Sequence, residues 1–310
     1  MPAIDPDVSV ISLARGRPDH IANLVRGLAR QTHLPRELVV AVMQPRLYRL
    51  PEAPFPVIQL AIEGDELPLA RARNAAAGAA RGERLAFLDA DCIPSPDLVA
   101  DYAAHLDTLD GLLMGEVLYL PGGTTAGSWD VADFADVAER HSDRRGPPPS
   151  GIELCSDYRC FWSLNFAIRR DTFQRTGGFD ERYSGYGGED TDFSKGATLA
   201  GLPLAWVKGA RAYHQYHPHH MPPAHHLHSV VRNAQLFEQK WGYRTMGHWL
   251  HAFRLMGLID DEPGRPIRVL REPDAADLAL TGQQSHQPYA NSATVIRELE
   301  RRRQAEPVLT

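Results

Sequence analysis

The chain has few of the features that would put it in a membrane, on nucleic acid or in an oxidising compartment. Its only cysteines are Cys92, Cys155 and Cys160. An odd number without metal-ligand spacing argues against a disulfide framework and fits a reducing compartment. No segment approaches the ~18 apolar residues that span a bilayer, so the chain reads as soluble, with peripheral membrane contact as the upper limit. The opening MPAIDPDVSV lacks a basic region followed by an apolar core, and a cytoplasmic location without a signal peptide is expected. The net charge is −6, which provides no field to hold nucleic acid. What is present is ordinary for a globular protein: 310 residues, 43% hydrophobic and 23% charged. That is enough for one large α/β domain, or one domain with a helical annex.

VSVISLA (8–14) is an apolar, β-branched run of the kind found in buried parallel strands. Pro18 suits the first position of a helix, and Ile21, Leu24, Val25 and Leu28 predict an amphipathic helix over 18–32. Strands are expected at 37–43, 56–62, 84–92 and 111–120, with helices at 69–80 and 96–108. This alternation predicts an α/β fold with an open, mostly parallel sheet and helices on both faces. In such sheets ligands bind beyond the carboxyl ends of the strands. Residues 121–153 are less regular, with a short helix at 129–142 and then SDRRGPPPSG; together with Trp129 they read as a lid. Further on, strands are expected at 161–170, 203–207 and 209–217, and helices at 171–179, 190–200 and 224–241. The last 50 residues are polar, and the arginine-rich run 301–303 reads as a solvated helix or tail.

Polar residues fall where the strands end. LDADC places Asp89 and Asp91 two apart at a strand end, a ready site for a hard divalent cation, or simply a turn that ends in acids. Arg15, Arg17, Arg71 and Arg73 flank predicted strand or helix ends on the same edge. Each alone is more often a solubilising residue, but four beside a D-x-D suggest a diphosphate clamp. In YSGYGGEDTDFSKG, three glycines precede Glu189, Asp190 and Asp192. Acids there can cap a helix, or one can accept a proton from a bound hydroxyl. Nine of the fourteen histidines lie within 214–251. One of them can complete a metal site begun by Asp91; the cluster can equally be a zinc site or an exposed loop.

These motifs, in this order, resemble the family 2 glycosyltransferases of the GT-A fold, with a C-terminal part that looks like the β-galactosyltransferase module. The resemblance covers about 8–241 and rests on VSVISLARGRPDHIANLVRGLARQ, ARARNAAAGAARGERLAFLDADCIPSPD, and GGFDERYSGYGGEDTDFSKGATLAGLPL followed by YHQYH. It implies a Rossmann-like GT-A domain with a nucleotide-sugar-binding half over 1–120 and an acceptor-binding, catalytic half over 121–220. A C-terminal helical extension and polar tail would fill 221–310. It implies that Asp190 is the catalytic base, with Glu189 beside it for sugar hydroxyls. Arg15, Arg17, Arg71, Arg73, Asn74, Asp89, Gly187 and Gly188 would line the nucleotide-sugar site. Asp91 and His214 would hold Mn2+ or Mg2+, with Asp89 and His217 as second choices, and Tyr186 and Trp162 would face the acceptor. Tyr186 stands where the galactosyltransferases have tryptophan, which leaves the acceptor surface open. The implied reaction moves a sugar, with inversion, from a nucleotide-diphospho-sugar (UDP favoured) to a glycan, lipid, peptide or small-molecule hydroxyl. The alternatives are an inert nucleotide-sugar- or glycan-binding relative and a metal-dependent nucleotidyltransferase, although LARGRPD lacks the glycine-rich signature of the latter.

Overall fold

The computed structural model describes residues 3–64 and 66–305. These divide into two compact units: one runs to Ser184 and resumes over Glu189–Tyr216, and the other comprises Gly185–Gly188 and the chain from His217 onward.

The first unit alternates strands and helices as the apolar runs predict. It opens with β1 (Ala3–Ala14), α1 (Pro18–Leu28), β2 (His33–Val42), β3 (Val57–Ala61), α2 (Leu69–Ala79), β4 (Arg84–Leu88), β5 (Cys92–Pro94) and α3 (Leu98–Thr108). There follow β6 (Leu112–Met114), β7 (Val117–Tyr119), β8 (Glu139–Arg140), β9 (Ile152–Leu154), β10 (Asn165–Arg169), α4 (Arg170–Thr176), α5 (Glu189–Leu199), β11 (Leu204–Val207) and β12 (Ala212–His214). Eight strands form the main sheet in the order β3-β2-β1-β4-β10-β6-β11-β9. The β1/β2, β1/β4, β2/β3 and β6/β11 pairs are parallel.

Like the edge strand β9, β10 departs from the parallel pattern, running antiparallel between β4 and β6 with Asn165 opposite Leu88. Its first residue therefore lies at the edge where β4 ends, and the loop before it, with Trp162, is delivered to the expected ligand side. A second sheet, β5-β12-β7-β8, sets β12 antiparallel to β5 with His214 opposite Cys92.

Four expectations change. The strand expected at 84–92 stops at Leu88 and resumes as β5 in the other sheet, which leaves residues 89–91 as the turn between sheets. The strand expected at 111–120 is likewise two strands, β6 and β7, split at Gly115 and Glu116. The helix expected at 129–142 is a 3-10 turn over Val131–Asp136 followed by β8. The helix expected over 18–32 ends at Leu28, and Gln31, beyond it, donates to Ser95 O instead.

Gly115 explains one of these breaks. A Cβ there would collide with Ala210 O and lie 2.5 Å from both Asn165 Nδ2 and Tyr102 Oη. Asn165 joins the two sheets at this point: its amide donates to Glu116 O (3.0 Å) and Ala210 O (2.7 Å) and accepts from Tyr102 Oη (2.7 Å). Overpacking such a junction costs roughly 1–3 kcal/mol. Gly115→Ala is therefore expected to lower the urea midpoint at an unchanged slope; an unshifted midpoint would show that the junction can give way.

The helix that carries the acidic motif is anchored by aromatic packing. Phe193 of α5 stacks on Phe179 with centroids 4.2 Å apart, and Phe87 stacks on Phe166 at 4.3 Å. Phe161, Phe166, Phe173, Phe179 and Phe193 are all buried in one core with Phe87. This burial, rather than any intrinsic preference of EDTDFSKG for helix, fixes where α5 starts.

In the second unit, α6 (Leu227–Trp241), α7 (Gly247–Leu255), the hairpin of β13 (Ile259–Asp260) and β14 (Arg268–Val269), α8 (Ala275–Thr281) and α9 (Ser292–Ala305) surround their own apolar core. The arginine-rich run at 301–303 is thus part of a helix. Among the described residues, no helix is long and apolar enough to cross a membrane.

Candidate functional site

At the carboxyl edge of β1 and β4, the first unit gathers a chain of alternating charges. The turn after β4 is pinned by Asp89 N donating to Leu164 O at 3.0 Å and Cys92 N to Asp89 O at 2.9 Å. Gln215 N donates to Asp91 O at 2.7 Å, which fastens the same turn to the residue after β12. The Asp91 Oδ2 atom then lies 3.1 Å from Arg17 Nη1 and 3.6 Å from His214 Nε2.

Arg17 reaches Asp91 from a bend that most residues avoid. Gly16 and Arg17 have φ of 64° and 49°, the left-handed region in which a non-glycine residue is strained. Two side chains hold the bend: Gln44 Oε1 accepts from Gly16 N at 2.8 Å, and Tyr48 Oη donates to Gly16 O at 2.7 Å. Burial pushes the Tyr48 hydroxyl up to about 12, against the nearby Arg17 charge, so it remains a donor. Neither Gln44 nor Tyr48 stands out in the sequence, where the polar break QPRLY after the second strand is the signal.

Arg73 is the centre of the second part. It is 4% exposed, with Nη1 3.1 Å from Glu189 Oε1 and Nη2 3.8 Å from Asp89 Oδ1. Its guanidinium also lies 5.1 Å over the Phe179 ring. One buried cation thus joins the turn after β4 to the first residue of α5. Asp190, next to Glu189, accepts from Thr191 N at 2.7 Å. Desolvation first, then the Glu189 charge, pushes the Asp190 carboxyl up to about 6, with Arg73 and the Thr191 bonds opposing. Desolvation likewise pushes Asp89 up to about 7, with Arg73 opposing and Asp91, Glu189 and Asp190 adding to the rise. Asp192 is buried and accepts from Tyr183 Oη at 3.2 Å, a structural contact.

The remaining expected residues separate. Arg15 and Arg71 are exposed. Asn74 turns to the loop before α5, donating to Phe179 O at 2.8 Å and accepting from Phe179 N at 2.9 Å. Trp162 is half-buried, with the His141 ring edge-on at 5.1 Å and the Arg144 guanidinium over it at 4.6 Å. Tyr186, Gly187 and Gly188 belong to the second unit. There Tyr186 stacks on His226 at 4.9 Å and on Trp249 at 5.8 Å. Gly187 has a packing reason, because a Cβ would meet Met246 Sδ at 2.6 Å and Trp249 Cζ3 at 3.0 Å.

The mixed α/β architecture, with a large mostly parallel sheet flanked by helices, matches the GT-A fold. Residues 58–173 match the family model "Glycosyl transferase family 2", and 151–220 match "N-terminal domain of galactosyltransferase". Over these residues the chain is similar to the family 2 glycosyltransferases and to the galactosyltransferases. Among curated proteins it is similar to chondroitin synthase of Escherichia coli, 26% identical over 201 residues, which is 56% of this chain and 29% of that one. It is also similar to validoxylamine A glucosyltransferase of Streptomyces hygroscopicus subsp. jinggangensis (strain 5008), 30% identical over 80 residues, 26% of this chain and 18% of that one. The chain thus spans less than a third of the length of these two relatives. Its fold is similar to that of GalNAc-T7, solved with UDP, GalNAc and Mn2+ (TM-score 0.50, 18% identity, 68% of this chain and 43% of that one). S. aureus TarS 1-349 in complex with UDP also matches (TM-score 0.49, 19% identity, 81% and 78%).

Proposed function

We propose that the chain transfers a sugar from a nucleotide-diphospho-sugar, UDP-linked by preference, to an acceptor hydroxyl with inversion at the anomeric carbon. The observation that carries this reading is the Arg73 bridge. It fixes the start of α5, with Glu189 and Asp190, against Asp89 at the strand end, so that proton acceptor and diphosphate residues share one edge.

Asp190 is the base. Its raised carboxyl is still largely ionised at neutral pH, and it takes the proton of the attacking hydroxyl. Glu189 holds sugar hydroxyls and is itself held by Arg73. Arg17, kept in its bend by Gln44 and Tyr48, meets the diphosphate, joined by the exposed Arg15 and Arg71. Asp89 contacts the nucleotide or the cation. Trp162 supplies an aromatic face for the acceptor.

The residues present fit a divalent cation: a carboxylate oxygen and an imidazole nitrogen 3.6 Å apart can both face one ion, and this donor pair suits Mn2+ or Mg2+. Asp91 and His214 would hold it, with Asp89 and His217 as the further candidates. An ion held there would supply positive charge to offset that growing on the leaving diphosphate. Asp91→Ala is expected to weaken manganese-dependent binding of UDP-sugar by tenfold or more while leaving the fold intact by circular dichroism. Manganese-dependent binding unchanged in that variant would remove Asp91 from the cation site.

A further inference from the structure

Cys155 and Cys160 meet at a single turn. Cys155 follows β9 and donates through Sγ to Asp157 O at 3.4 Å. The Cys160 amide donates to that same oxygen at 3.0 Å. Both residues thus bond one carbonyl oxygen, and burial and then the nearby Cys155 thiol push the Cys160 thiol up; both lie half-buried against the phenylalanine core, whereas Cys92 is fully buried. The turn is also tied to the site region from two sides. Arg144, buried with its guanidinium 4.6 Å from each of the Trp162 and Trp206 rings, donates through Nη1 to Cys160 O at 2.9 Å. Ser194 Oγ, one turn beyond Asp190 on α5, donates to Tyr158 O at 2.9 Å.

We propose that Cys155 and Cys160 are a redox-modifiable pair that closes to an intramolecular disulfide and transmits its state to α5 and to the Arg144–Trp162 stack. The oxidant is a low-molecular-weight disulfide. One cysteine thiolate attacks it, forming a mixed disulfide and releasing one small thiolate. The second cysteine thiolate then displaces the other small thiolate, and the protons lost by the two protein thiols go to solvent. The protein pair is oxidised and the small disulfide is reduced to two thiols. Closure shortens the sulfur separation to about 2.05 Å. The Tyr158 carbonyl, which holds Ser194, lies inside the contracted loop, and the Cys160 carbonyl, which holds Arg144, leaves directly from its end. Burial pushes the Cys160 thiol up to about 11, so closure is slow at neutral pH and accelerates as pH rises.

The test incubates the full chain with oxidised glutathione at mildly alkaline pH and reads intact mass and alkylatable thiols. The native chain is expected to lose two alkylatable thiols without a glutathione adduct. Cys155→Ser and Cys160→Ser should each retain one adduct instead. Adducts on the native chain without closure, a disulfide-linked dimer, or no reaction would each overturn the pair. Transmission to α5 rests on the transferase reading, and sugar transfer should fall on the order of tenfold on closure and recover with dithiothreitol. In the double serine variant, transfer should be insensitive to the oxidant. Closure with transfer unchanged would overturn transmission. A reduced protein inactive with every nucleotide sugar would count against the transfer reading, while closure seen by mass would still support the pair.

Discussion

With Asp190 as the proposed base, Asp190→Asn is expected to lower sugar transfer by ~10²–10⁴, the usual worth of a positioned general base, and to leave donor binding nearly intact. The asparagine keeps the size of the side chain, its place at the first turn of α5 and an oxygen to accept from Thr191 N. It cannot take the proton. The same account fixes the pH profile. A base acts ionised, and burial beside Glu189 holds Asp190 at about 6 rather than at the ordinary carboxylate value. As pH falls through about 6 the carboxyl protonates, so kcat/KM of the native chain should fall on the acid side with that midpoint. The residual activity of Asp190→Asn should lack this limb. Steady-state rates across pH, with donor affinity measured separately, check both points. An equal loss of donor affinity in the variant would remove Asp190 from the role of base.

Arg73→Met costs about 3–5 kcal/mol of stability, the cost of removing one partner from a buried ion pair. Methionine keeps the apolar stem over Phe179 but leaves Glu189, Asp89 and Asp190 facing one another without the cation. The cost should depend on pH in a defined direction. Arg73 lowers the Asp89 and Asp190 carboxyls, which burial has already raised, so its loss raises them further. A carboxyl raised in the folded state favours folding when protonated, and that contribution is lost as pH rises through the folded value. The variant should therefore approach native stability at mildly acidic pH and fall behind steadily as pH passes about 7. Urea unfolding at the two extremes reads the difference. A cost independent of pH would mean that Arg73 acts through packing alone.

Much of this site is legible from residue order because strand ends are legible. LDADC and LARGR each follow an apolar run, and the sheet places both on one edge. The phase of α2 was less visible. Arg71 and Arg73 look equivalent in LARARN, yet Ala70, Arg73 and Ala77 share the buried stripe while Arg71 faces solvent. The helical spacing of the alanines held that information. The antiparallel insertion of β10 was not readable, since FWSLNFAIRR has the same apolar pattern in either direction and only its partners, β4 and β6, set the sense. Gly187, which the resemblance puts at the nucleotide-sugar site, also has a packing role. Its neighbours Met246 and Trp249 lie about sixty residues away in sequence, and that distance hides a packing constraint from any local pattern.

The most direct test of the central claim is a thermal-shift panel of UDP-, GDP- and dTDP-sugars, each with and without Mn2+. UDP-sugar should raise Tm, and by a large amount only when Mn2+ is present. No rise with any nucleotide sugar, or an equal rise with the metal chelated, would contradict that claim.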